Sequence, residues 1–177
     1  MPESQTLTVC RLLADDWQTY RAIRLAMLDE SPSAFGGTHA QAVADEERLW
    51  RQRLEDNAVI LAMVGALPAG SVMYSEYGTT EPADGALYGM WVDPGFRGAG
   101  VGRALVDAVI AQARAGGKRR LVLHVVAGND GAGRLYERAG FVPTGQTVPY
   151  PHDDRIVEVE MALVLDGLTD SPASGEI

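Results

Sequence analysis

Between an apolar run, Ala86 to Val92, and an amphipathic stretch, Gly100 to Ala115, the chain carries Asp93-Pro94-Gly95-Phe96-Arg97-Gly98-Ala99-Gly100-Val101-Gly102-Arg103. Proline cannot continue a strand ladder and glycine permits a tight turn, so this segment joins a strand to a helix. Glycines at 98, 100 and 102 let the backbone approach a ligand and aim several N–H groups one way. Those donors add to the positive end of the following helix and make an anion site suited to pyrophosphate. A bland connection needs one or two glycines, not three flanked by two arginines. Two nucleotide patterns fail here. No Gly-Lys-Ser or Gly-Lys-Thr occurs, which excludes a Walker loop, and a dinucleotide fingerprint meets Arg103 or Leu105 where it needs glycine or alanine.

Around this turn the periodicities give an order of elements. Thr6 to Leu13 reads as a strand. One helix runs from Asp15 and Asp16 to about Asp29, and a second from the early 40s to Glu55. Ala58 to Val64 and Gly70 to Tyr77 form a hairpin about a turn at Leu67-Pro68-Ala69-Gly70. After a polar loop from Gly78 to Gly85 come the strand to Val92, the helix to Ala115 and a stop at Gly116-Gly117. Arg120 to Val126 is a strand, Asp130 to Ala139 a helix, and Phe141 to Thr147 and Ile156 to Leu165 are strands. The expectation is one α/β domain over residues 1–165, a mixed sheet of about seven strands flanked by about four helices. Residues 166–177, rich in Ser, Gly and Pro, read as a frayed tail.

Charge is uneven. The 177 residues carry −9 overall, which argues against a general nucleic-acid binder. Arg97 to Arg138 holds eight basic and three acidic residues, a local +5 against −14 elsewhere. A positive segment in an acidic chain fits a polyanionic small molecule, and equally a solvated basic helix face. The single cysteine, Cys10, excludes an internal disulfide framework and a Cys-rich zinc site, and no cluster has metal-ligand spacing. No apolar run approaches a membrane span, and Met1-Pro2-Glu3-Ser4 lacks the basic and apolar regions of a secretory signal. A cytoplasmic protein with no membrane partner is expected.

The turn also reads as R-x-x-G-x-G, Arg97 to Gly102. Downstream, Asn129, Ala132, Leu135, Tyr136, Glu137, Gly140 and Phe141 meet N-x-x-A-x-x-L-Y-E-x-x-G-F. In these two linked motifs the sequence resembles the acetyl-CoA-dependent GNAT N-acetyltransferases, specifically over about residues 86 to 145. The resemblance implies a sheet splayed between its fourth and fifth strands, with pantetheine in the gap. It implies cofactor contacts from Met90, Trp91 and Val92, from Arg97, Gly98, Ala99, Gly100, Val101, Gly102 and Arg103, and from Asn129, Ala132 and Tyr136. The Trp91 side chain reads better as packing, and Asn129 doubles as a helix N-cap. Gly131 and Gly133 either leave room for ligand or loosen the helix start.

Amine acetylation by a thioester needs a deprotonated amine, a stabilised oxyanion and a protonated leaving thiol. Tyr136 matches the family tyrosine beside the sulfur, as proton donor. For the base, His124 lies on the fifth strand twelve residues before Tyr136, a spacing at which ribosomal-protein alanine acetyltransferases place a glutamate. A histidine titrates near neutrality, and a partly buried strand histidine is an equal reading. Glu76 and Tyr88 are further candidates. His152 reads as a loop residue on the substrate side or the surface, and His39 as exposed. The expected function is direct acetyl transfer to an amine, with a small cationic amine favoured by the acidic surroundings. Acetylation of a protein N-terminus or lysine is the alternative, and a non-catalytic acyl-CoA-binding regulatory module is the alternative of another class. A homodimer is left open.

Overall fold

The computed structural model describes residues 6–32, 34–76, 79, 81–150 and 153–165. The elements are β1 (Leu7–Arg11), α1 (Trp17–Glu30), α2 (His39–Ala44), α3 (Glu47–Asp56), β2 (Ala58–Val64), β3 (Leu67–Ser75), β4 (Asp84–Val92), α4 (Val101–Ala115), β5 (Arg120–Val126), α5 (Asp130–Arg138), β6 (Val142–Tyr150) and β7 (Asp153–Val164). One sheet holds all seven strands in the order β1-β2-β3-β4-β5-β7-β6. Only the β4–β5 pair is parallel; every other pair is antiparallel. The tail from 166 to 177 and His152 lie outside the described residues.

Period-two alternation sorts side chains onto two faces. Ile60, Ala62, Val72, Tyr74, Leu121 and Leu123 face one way and pack with Val101, Leu105, Val106 and Val109 of α4. Val59, Leu61 and Trp91 face the other way, against Tyr20, Ile23, Met27 and Leu28 of α1 and Trp50 and Leu54 of α3. Burying both faces under helices explains why Ala58 to Leu61 reads as an unbroken apolar run.

The structure differs from the sequence reading in two local places. The single helix expected over the 40s and 50s is two, because the chain turns extended at Asp45 and Glu46. That break frees the Asp45 carbonyl to accept from the buried Trp50 indole at 3.2 Å, and places the Asp45 carboxylate 2.7 Å from Arg53. The hairpin turns at Gly65-Ala66, with φ +59° at Gly65, and not at Leu67–Gly70. Leu67 and Pro68 pair with Val64 and Met63, and a bulge at Ala69 absorbs the irregularity.

The sheet opens between β4 and β5. Their ladder holds only Asp84, Gly85 and Ala86 against Arg120, Leu121 and Val122. Beyond it β4 stays with β3 as far as Gly70–Val92, and β5 stays with β7 as far as Val126–Glu158. Two half-sheets therefore part like a wedge, and the backbone edge of β4 past Ala86 has no strand beside it on that side.

Candidate active site

A cavity of about 820 Å³ fills the wedge. Its lining includes Leu87, Tyr88, Gly89 and Met90 of β4, His124, Val125 and Val126 of β5, and Asn129, Ala132 and Tyr136 from α5 and its cap. Helix α1 contributes Tyr20, Arg24, Met27 and Leu28, and the loop 34–37 forms a further wall. That loop is tied down by Tyr150, whose hydroxyl donates to the Phe35 carbonyl at 3.0 Å.

Strand β4 carries one extra residue where it crosses the wedge. Met73 pairs with Tyr88, but Ser71 pairs with Trp91, so Gly89-Met90 bulges with φ +54° at Gly89. Glycine enters that left-handed region without the penalty a Cβ brings.

The glycine-rich turn divides its labour. Gly98 and Gly100 have φ +80° and +84°, and a Cβ built on either meets nothing within 4 Å. They shape the turn and leave it open. Gly102 has a packing reason, since its Cβ would stand 3.1 Å from Leu135 of α5. Val101 is a core residue, 1% exposed. The first N–H groups of α4, at Val101, Gly102 and Arg103, have no intrahelical acceptor, as in any helix. The two arginines are engaged elsewhere. Arg97 donates to the Val92 carbonyl at 3.1 Å and to both Glu30 oxygens at 3.0 Å. Arg103 lies on Asp107 at 2.9 Å and donates to the Arg138 carbonyl at 2.8 Å. These side chains brace the turn, and the donors it leaves without a partner are the first backbone N–H groups of α4.

Of the three β4 residues expected to meet cofactor, Met90 lines the cavity. Trp91 is 7% exposed, packed against α1, with its indole N–H on Glu30 at 3.1 Å, so its side chain is a packing residue. Val92 packs toward α4 with its carbonyl occupied by Arg97. Asn129 caps α5 by accepting from the Ala132 N–H at 3.2 Å, and it lines the cavity as well. Tyr136 is 5% exposed, edge-on to Phe141 at 5.8 Å, and burial pushes its phenol pKa well up.

His124 lines the cavity, with Glu160 3.6 Å away on the paired position of β7; Thr144 donates to that carboxylate at 2.8 Å. Glu76 is not brought to the site. It follows the last residue of β3, 3.8 Å from Lys118, beside the C-terminus of α4. A 15-residue helix is about 22 Å long, and the glycine-rich turn is at its other end. Tyr88 does line the cavity, with its pKa raised by burial. Sequence reasoning missed Arg24 and Glu158, both lining residues, and the Gly89 bulge. The isolated strand glycine was the available signal for the bulge.

Residues 16–141 match the model of the Acetyltransferase (GNAT) family. The chain belongs to this family. Its members are acetyl-CoA-dependent acyltransferases, and the parting of β4 from β5 accords with the GNAT fold expected from the two motifs. Among curated relatives, a mycothiol acetyltransferase of Cellulomonas flavigena is 30% identical over 142 residues, 76% of this chain and 40% of that protein. Another, from Beutenbergia cavernae, is 41% identical over 70 residues, covering 40% of this chain and 24% of that one. The chain thus spans less than half the length of these relatives. Among solved structures, a Salmonella typhimurium chain described with its cofactor acetyl-CoA superposes with a TM-score of 0.72 at 19% identity, over 95% of this chain and 99% of that one. Among the described residues no helix is long and apolar enough to cross a membrane.

Proposed function

We propose that this protein transfers the acetyl group of acetyl-CoA to a primary amine by direct attack within the β4–β5 wedge. The observation that carries the reading is a wedge with an unpaired, bulged β4 edge and Tyr136 in its wall, on a strand that runs on into an open glycine-rich turn outside the cavity lining. An amide-bearing arm fits an exposed strand edge, since it offers the donors and acceptors a neighbouring strand would supply. The N–H groups opening α4 suit a pyrophosphate.

The thioester supplies the acyl group. The amine nitrogen, once deprotonated, forms a C–N bond to the acetyl carbon, the C–S bond breaks, and sulfur leaves with a proton from Tyr136. Burial keeps the phenol protonated, and the same burial raises the proton affinity of a thiolate leaving beside it. Main-chain groups at the Gly89 bulge are placed to polarise the carbonyl. His124, 3.6 Å from Glu160 on the facing strand, is the residue assigned to accept the ammonium proton directly or through water. The cavity wall carries charge of both signs: Asp45 is paired with Arg53, while Arg24 and Glu158 also line it. Thiol release from acetyl-CoA across a panel of amines tests the proposal: release must depend on the amine.

A further inference from the structure

Among the described residues, Arg24 is the cation of the cavity wall that has no carboxylate partner. It is half-buried, beneath the loop 34–37 and beside the β4 bulge. A Cβ on Gly37 would lie 3.4 Å from one terminal nitrogen and a Cβ on Gly89 3.7 Å from the other. Its guanidinium stands 5.6 Å from the Phe35 ring centre and donates to the Met27 sulfur at 3.5 Å. Among the described residues no carboxylate lies within 4 Å of it. By contrast Arg53, the cavity's other arginine, is paired with Asp45 at 2.7 Å. Burial costs Arg24 solvation and pulls its pKa down, Arg53 repels it, and the neighbouring Tyr20 phenol is held neutral by its own burial. An arginine cannot escape by losing its proton, so the cost stands until an anion arrives.

We propose that the acceptor amine carries a carboxylate a few bonds from its reacting nitrogen, and that Arg24 receives it. This rests on the acetyl-transfer reading above. One guanidinium matches one planar carboxylate in a two-point contact and balances its single charge, whereas a phosphate dianion on the same fork would keep a net negative charge. The placement fits the chemistry. Arg24 borders the bulge, while His124 and Glu158 lie in the cavity wall on β5 and β7, so a zwitterion would find its carboxylate and its ammonium each matched. Amino-acid-like acceptors satisfy this, and a peptide N-terminus, whose first carboxyl is an amide, does not.

Two measurements on the wild type, Arg24→Lys, Arg24→Gln and Arg24→Met separate the outcomes. In thiol-release assays, free L-amino acids are compared with the matching amino acid amides, O-phosphoethanolamine and spermidine. In calorimetry with CoA present, N-acetyl amino acids are compared with their amides, which reports carboxylate recognition without turnover. The expected result is a preference for carboxylates in both. Arg24→Gln should raise KM for amino acids about 10- to 100-fold with little change for amides, and Arg24→Lys should recover part of it. Arg24→Met should melt no lower than the wild type, since it removes an uncompensated charge; a bracing arginine would show a clear loss. Preference for amides, spermidine or the phosphate, or equal KM in Arg24→Gln, overturns the proposal while leaving acetyl transfer standing. Carboxylate binding through Arg24 without thiol release from any amine would overturn acetyl transfer and leave the anion site standing.

Discussion

The Arg97 guanidinium lies 3.0 Å from both carboxylate oxygens of Glu30, 67 residues earlier in the chain. Through this pair the end of α1, a helix that walls the cavity, is fastened to the glycine-rich turn. Ser31 and the Trp91 indole also donate to Glu30, and these contacts with Arg97 hold its pKa below the ordinary carboxylate value. A depressed carboxylate stabilises the fold above its unfolded pKa, near 4.3, and that contribution disappears as pH falls through the folded value. Glu30→Gln should therefore melt below the wild type at pH 7, and the gap should close toward pH 3. Both partners are partly exposed, so the difference should stay under about 1 kcal/mol. CoA affinity should fall in Arg97→Ala more than the modest stability loss accounts for.

Gly100→Val places a branched side chain at φ +84°, where the strain alone is roughly 1–2 kcal/mol. No protein atom lies within 4 Å of the new Cβ, so the variant should fold. Calorimetry should find CoA binding nearly abolished. Unchanged affinity would remove the turn from the cofactor site.

Gly133 is a useful contrast, because a Cβ there also meets nothing, within a helix. Gly133→Ala should stabilise the protein by about 0.5–1 kcal/mol. If CoA affinity is retained, this glycine only loosens the helix. A loss of affinity with raised melting temperature would mean that the glycine leaves room for the ligand.

For His124, the pH–rate profile is the discriminating readout. His124→Ala should lose most of kcat at pH 7 and regain part at high pH, where free amine is abundant. Glu160→Gln, acting through the histidine, should change the shape of the profile while leaving KM for acetyl-CoA alone. A lower melting temperature with an unchanged profile in His124→Ala would make it a strand residue only, and Glu158 or water would take the role.

Much of this was legible because the signals are local. Three glycines, a proline and an asparagine cap announce the turn before α4 and the start of α5, whatever the rest of the chain does. What escaped depends on tertiary approach. Arg24 is one polar position on an amphipathic helix, and only the loop at Phe35 and the bulge at Gly89 make it a buried charge. Arg97 looks like an anion ligand in sequence; Glu30, distant in the chain, makes it a brace. Glu76 is near the cavity in no sense that strand order alone could reveal, since β3 runs away from the wedge. The helix break at Asp45 has no glycine or proline to mark it and follows from the needs of Trp50 and Arg53.

Tyr136→Phe tests the central claim most directly. The ring contact with Phe141 survives, so fold and CoA affinity should be retained. Amine-dependent thiol release from acetyl-CoA, measured beside the wild type, should show kcat reduced roughly 10²- to 10⁴-fold, the usual worth of a positioned proton donor. Full kcat in the variant would make Tyr136 a packing residue, and a wild type that binds acetyl-CoA yet releases no thiol with any amine would contradict catalysis in this wedge altogether.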